Sequence, residues 1–62
     1  MKQKFEDTDY LIEFKTLGNV VKVTALDPIS LTEASIVGSP KVPEKELARA
    51  AVRKLVYVLG KN

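Results

Sequence analysis

Apolar and polar residues alternate along three short segments of the chain, which predicts three β-strands. The segments cover residues 10–15, 20–25 and 32–37. Successive side chains of a strand point to opposite faces of its sheet, so each segment has one face richer in apolar residues. We expect the inner face of the sheet to consist of Tyr10, Ile12, Phe14, Val21, Val23, Ala25, Ala34 and Ile36.

Turn residues separate the three segments and indicate how the strands connect. Gly18-Asn19 follows the first segment, and this dipeptide accepts the positive φ angles of a tight hairpin. Asp27-Pro28 ends the second segment, because proline lacks the N–H that a sheet needs. We interpret Asp27 as a turn residue whose carboxylate binds the local backbone rather than as a catalytic acid. The short connections predict an antiparallel meander.

The last third of the chain, residues 43–59, has the periodicity of one helix. Pro43 suits the first turn, Glu44 and Glu46 carry the negative charge favoured near a helix N-terminus, and Gly60 suits the C-terminal stop. The predicted fold class is therefore α+β: a three-stranded antiparallel β-meander followed by one C-terminal helix packed on the sheet, in the order β-β-β-α.

The apolar arc of this helix spans roughly half of its circumference, whereas one small sheet covers a stripe of only about 100°. The row expected to cover the sheet is Leu47, Ala51, Leu55 and Val58. The excess lies on a flank that we expect to meet a second chain, with an edge strand of the sheet as the alternative. We define this helix flank, the candidate self-association site, as Ala48, Val52, Val56 and Leu59.

Chain length and composition make a homo-oligomer the leading expectation. The 62 residues predict one small domain, 1–62, with residues 1–8 frayed because they are polar and show no periodicity. A core of this size supplies only about 3–5 kcal/mol and usually needs a disulfide, a metal or a partner. The chain has neither Cys nor His, so disulfides and the commonest metal ligands are excluded.

The same composition argues against an enzyme, a cofactor site or a membrane protein. No side chain has an ordinary pKa near 7, and no serine has a histidine partner. Glu13 and Glu33 can share an exposed sheet face, which we interpret as solvated surface. No segment approaches the ~18 apolar residues of a membrane span, and no signal peptide is evident. We therefore expect a cytoplasmic protein without catalytic, cofactor or metal sites.

A basic row on the helix supports an alternative function. Arg49, Arg53 and Tyr57 recur at i, i+4 and i+8, with Lys54 beside them, and such a row can contact phosphates and stack on a base. The strand and helix order also resembles, in outline, the second half of a double-stranded RNA-binding domain. Pro43 and Glu44, however, stand where that domain has basic residues.

Several stretches together resemble a family of short, uncharacterised alphaproteobacterial proteins. The resemblance spans most of the chain and implies a stand-alone bacterial domain, without transferring an activity, a ligand or a functional residue. It is carried by residues 17–25, by Asp27-Pro28, by residues 32–38 and by residues 51–59.

The function we expect is a small, non-enzymatic interaction or structural module. It acts as a homo-oligomer, most simply a dimer, or as a subunit of an assembly with another protein. The alternative is a weak nucleic-acid-binding module that uses Arg49, Arg53, Lys54 and Tyr57 on the helix. The net charge of +2 is low for a dedicated nucleic-acid binder, which places this alternative second.

Overall fold

The computed structural model describes residues 2–4 and 10–60, with side-chain environments for residues 10–60. Four strands are followed by one helix. The elements are β1 (Lys2–Lys4), β2 (Leu11–Leu17), β3 (Val20–Leu26), β4 (Glu33–Gly38) and α1 (Glu44–Leu59). The predicted fold class is confirmed: an open antiparallel sheet carries a single C-terminal helix on one face.

The sheet is a meander in which sequence neighbours pair in the order β1-β2-β3-β4. Seven consecutive pairs join β2 to β3, from Leu11↔Leu26 to Leu17↔Val20. β1 adds an edge strand through the pairs from Lys2↔Glu13 to Lys4↔Leu11. The expectation that residues 1–8 are frayed stays a prediction: residues 2–4 form β1, and the other positions lie outside the described residues.

The core lies between the helix and the predicted inner face of the sheet. All eight expected inner-face residues either belong to the buried cluster or pack against it. From the sheet, the fully buried members are Ile12, Val23 and Ala25, with Ala34 beside them. No polar or charged side chain is buried among residues 10–60. The alternation of apolar and polar positions therefore correctly assigned the two faces of the sheet.

The helix runs antiparallel to β4 and covers β3 and β4. Leu47 lies against Gly38 at the end of β4, and the Lys54 ammonium reaches Ser35, three residues back along the strand. Seven helical residues rise about 10 Å, which matches three strand residues. At this rate Val58 comes level with Glu33, where β4 begins.

This geometry corrects one position of the predicted sheet-facing row. Leu47, Ala51 and Leu55 are buried as expected, but Val58 remains 38% exposed because the helix has reached the end of the strand there. Ala48, which we expected on the helix flank, is only 2% exposed and belongs to the core.

Two turns were anticipated correctly. Gly18 has φ of +62°, which a glycine adopts without strain, and with Asn19 it joins β2 to β3. Asp27 organises the connection between β3 and β4: its Oδ1 accepts from the Ile29 N–H at 3.1 Å, and its Oδ2 accepts from the Ser30 hydroxyl at 2.9 Å. The interpretation of Asp27 as a turn residue is confirmed.

Candidate interaction surfaces

The predicted helix flank is mostly occupied by the protein's own core. Ala48 is buried, and Val52 and Leu59 are partly buried against the core cluster. Only Val56, at 50% exposure, is a predominantly exposed side chain among the four. Self-association through the flank stays a prediction. The flank exposes much less apolar surface than the helical periodicity of the sequence indicated.

The predicted basic row lies on the side of the helix away from the sheet. Arg49, Arg53 and Lys54 are exposed, and Tyr57 is 64% exposed. Lys54 has a structural contact, because its ammonium donates to the backbone carbonyl of Ser35 at 2.8 Å. β4 pairs only with β3 among the described strands, so this contact caps a carbonyl on the open edge of the sheet. Nucleic-acid contact through the row stays a prediction.

The face of the sheet opposite the helix is a larger surface that no described element covers. We call it the outer face and define it by the side chains that alternate with the core positions of β2, β3 and β4. Its members are Leu11, Glu13, Lys15, Leu17, Val20, Lys22, Thr24, Leu26, Glu33, Ser35 and Val37.

Strand register arranges the outer face into four rows across the strands. Each row takes one residue from each of β2, β3 and β4 that reaches it, and register places Lys4 and Lys2 of β1 beside Leu11 and Glu13 in the first two rows. In order from the β3–β4 loop end of the sheet, the rows are Leu11–Leu26–Glu33, Glu13–Thr24–Ser35, Lys15–Lys22–Val37 and Leu17–Val20. Apolar residues therefore occupy both ends, and charged and polar residues lie between them.

Within β2, β3 and β4, the charges of the outer face are separated by sign. Glu13 and Glu33 lie towards the β3–β4 loop end and line one shallow depression together with Leu11 and Leu26. Lys15 and Lys22 lie in the next row and are directly paired across the strands. The expectation that Glu13 and Glu33 share an exposed sheet face is confirmed.

A hydroxyl pair rigidifies the centre of this face. Thr24 Oγ1 and Ser35 Oγ lie 2.8 Å apart across β3 and β4. Cross-strand hydroxyl pairs of this type contribute modestly to sheet stability. The outer face is therefore formed by paired strands rather than by loops.

The β3–β4 loop presents two exposed apolar side chains. Ile29 is 90% exposed and Leu31 is 72% exposed. Leu31 also has φ of +63°, a left-handed conformation that is unfavourable for a leucine. Hydrogen bonds to Asp27 from the Ile29 and Leu31 N–H groups hold the loop in this form. In the sequence, Ile29 follows Pro28 directly and Leu31 lies three positions after it.

Two kinds of chemical feature can mark a site among the described residues: metal-ligand groups and unsatisfied buried polar atoms. Residues 10–60 contain no group of three or more His, Cys, Asp or Glu side chains arranged to hold a metal ion. No buried side-chain nitrogen or oxygen in that range lacks a hydrogen-bond partner. In the part of the chain that the structure describes, no helix has both the length and the apolar character needed to cross a lipid bilayer.

Comparison with known proteins identifies a family without assigning an activity. No curated protein and no solved structure matches the chain. One family model, the domain of unknown function DUF6898, matches residues 7–62. Because that match covers nearly the whole sequence, the chain belongs to the DUF6898 family of domains of unknown function.

Proposed function

We propose that this protein is a small, non-enzymatic interaction module that works as a homodimer. The observation that carries the proposal is the outer face, which no described element covers. A two-layer fold with one helix buries one side of its sheet, and the other side of an antiparallel sheet is commonly polar where it faces water. Here apolar residues occupy both ends of the open side.

Four of these outer-face residues provide a driving force for association: Leu11, Leu17, Val20 and Leu26. Leu17 is 43% exposed, and the other three are partly exposed. Full burial of one such side chain is worth roughly 1.5–3 kcal/mol before the entropic cost of association. Against a core that supplies only a few kcal/mol, a second copy adds meaningful stability.

The cellular setting belongs to the same proposal. The absence of cysteine from the sequence fits a reducing bacterial cytoplasm. The resemblance to alphaproteobacterial proteins supports a bacterial source. A second protein partner or a larger assembly remains compatible with a dimeric module that uses only one of its surfaces for self-association.

Weak nucleic-acid binding through the helix is the alternative, and it has less support. Arg49 and Arg53 are exposed and carry positive charge. However, the neighbouring Lys54 already donates to Ser35 at 2.8 Å, which ties one of the three cations to the sheet edge. The overall excess of basic residues is only two.

Sedimentation equilibrium over a concentration series tests the proposal. The chain has a mass of 6.9 kDa, and we expect the weight-average mass to rise with concentration towards twice that value. A mass that stays at the monomer value throughout would contradict the homodimer. If that monomer also shifted a mixed-sequence RNA in a salt-dependent manner, the alternative would replace it.

A further inference from the structure

We infer that two copies pack through their outer faces, with the strands of one copy running opposite to those of the other. This inference rests on the proposed homodimer and specifies its surface and geometry. The interface is isologous, since one face meets the same face of a second copy about a two-fold axis. The axis lies between the sheets and crosses the strands. It passes between the Glu13–Thr24–Ser35 row and the Lys15–Lys22–Val37 row.

In this arrangement the charged and apolar positions of β2 and the apolar ends of β3 meet suitable partners. Rotation about an axis that crosses the strands places each strand over its own copy and reverses the order of the rows. Glu13 then lies opposite the partner's Lys15, Leu11 opposite the partner's Leu17, and Leu26 opposite the partner's Val20. Each contact occurs twice because of the symmetry. Opposite charges meet, and the apolar ends of the face meet each other.

The other simple two-fold arrangement is chemically mismatched. An axis along the strands keeps the row order, so β3 lies over its own copy with each row facing the same row. Lys22 would then lie opposite the partner's Lys22, and Leu11 opposite the partner's Glu33. Facing like charges at an interface are strongly unfavourable. The charge pattern thus selects opposed strand directions.

The direct pairing of Lys15 with Lys22 is a second observation that fits a face-to-face dimer. Like charges directly opposite each other on neighbouring strands destabilise a sheet. No described carboxylate of the same chain lies in that row, because Glu13 and Glu33 occupy the two rows before it. A second copy brings its Glu13 to this position, which relieves the repulsion.

The open edge of β4 is a less suitable place for a second copy. Addition of a strand there requires free carbonyl and N–H groups along the edge. The Ser35 carbonyl on this edge already accepts from Lys54. The helix also crosses directly over β4, and its first buried residue, Leu47, contacts Gly38.

The size of the outer face predicts a weak, concentration-dependent dimer. Three strands of seven residues or fewer span about 23 Å by 14 Å, so the footprint is well below the roughly 800 Å² per partner of a standard interface. Affinity measurements should therefore extend from about 10 μM to about 1 mM, the range suited to small, transient interfaces.

Charge reversal at two positions tests the geometry. We expect Lys15→Glu alone to weaken the dimer about tenfold or more, because two carboxylates then face each other at each of the two contacts. Glu13→Lys alone should do the same with two ammonium groups. Lys15→Glu also removes the repulsion with Lys22 within the chain, so the monomer fold is retained. Lys45→Glu, an exposed helix position with the same change of charge, is the matched control.

Mixing the two single variants gives the sharpest outcome. The Lys15→Glu chain carries two carboxylates at these positions, and the Glu13→Lys chain carries two ammonium groups. A mixed dimer therefore forms two favourable pairs at once, so its Kd should return to within about threefold of the wild-type value. The double variant should likewise recover dimerisation.

The possible results separate this inference from the proposed function. A wild-type monomer at every concentration would overturn both. A wild-type dimer that neither charge reversal weakens would overturn the outer-face geometry and leave the homodimer intact. In that case Val56→Asp, on the helix flank, would identify the flank as the interface if it abolished the dimer. Weakening by each single variant, with recovery in the mixture, would support the inference.

Discussion

The close contact between Gly38 and Leu47 gives a prediction with a defined sign. A Cβ added at Gly38 would lie 2.5 Å from Leu47 Cδ2, about 1 Å inside ordinary contact. Leu47 is only 6% exposed, so its side chain has little room to move away. Gly38 does not have a positive φ, and alanine therefore meets no backbone strain there.

Two opposing effects set the size of the change. Overpacking of a core typically costs about 1–3 kcal/mol, whereas replacing glycine restricts the unfolded chain and returns about 0.4–1 kcal/mol. We therefore expect Gly38→Ala to lower the free energy of unfolding by about 1–2 kcal/mol. For a domain of 62 residues this is a large fraction of the total stability.

A double-mutant cycle isolates the contact from other effects. Leu47→Val removes the Cδ atoms and should cost about 1 kcal/mol on its own. In that background the added Cβ has space, so Gly38→Ala should become neutral or slightly stabilising. The assay is urea unfolding followed by far-UV circular dichroism, with all variants at one protein concentration. Equal destabilisation by Gly38→Ala in both backgrounds would refute the reasoning.

Three further predictions concern the β3–β4 loop and the helix. Asp27→Ala should lower the free energy of unfolding by about 1 kcal/mol, since the Ile29 N–H loses its acceptor, and Asp27→Asn should cost less; urea titration of the two variants checks this order. Leu31→Asn should raise the unfolding free energy by up to about 1 kcal/mol, because asparagine tolerates the positive φ, and an unchanged or lower urea midpoint would contradict that strain. Arg49→Glu combined with Arg53→Glu should leave the sedimentation mass unchanged, and loss of the dimer in this variant would count against an outer-face interface.

The sequence predicted the two faces of the sheet well because a strand's period of two is insensitive to the rest of the fold. Ile12, Val23 and Ala25 each follow and precede more polar or more exposed neighbours, so their burial could be read directly from alternation. Asp27-Pro28 and Gly18-Asn19 were recognisable as turns because these residue types favour turn backbone angles in any fold. These features depend on local chemistry.

Features that depend on where elements meet in space were less predictable. A helical wheel gives the direction of Ala48 and Val58 but not the point at which the sheet beneath them ends. β1, with the sequence Lys-Gln-Lys, has no alternation to detect, and its position follows from backbone pairing with β2. The contact from Lys54 to Ser35 joins residues 19 positions apart, and no local pattern encodes it.

The candidate surface shows the same division. Alternation in the sequence indicated that Glu13 and Glu33 can share a face. It could not show that Lys15 lies directly opposite Lys22, one row beyond Glu13, because that depends on the strand register. The sequence predicted self-association through the helix flank or an edge strand. Because Ala48 is buried in the core, the helix flank offers less apolar surface than the outer face of the sheet, where Leu17 is 43% exposed.

Intermolecular contacts measured by NMR test the central claim most directly. Isotope-filtered nuclear Overhauser spectra on a 1:1 mixture of labelled and unlabelled chains detect only contacts between copies. We predict cross-peaks between the methyl groups of Leu11 and Leu17, which are six residues apart on β2 and therefore about 20 Å apart within one chain. Intermolecular cross-peaks confined to Val56 on the helix, or none at a concentration where the mass is dimeric, would contradict packing through the outer face.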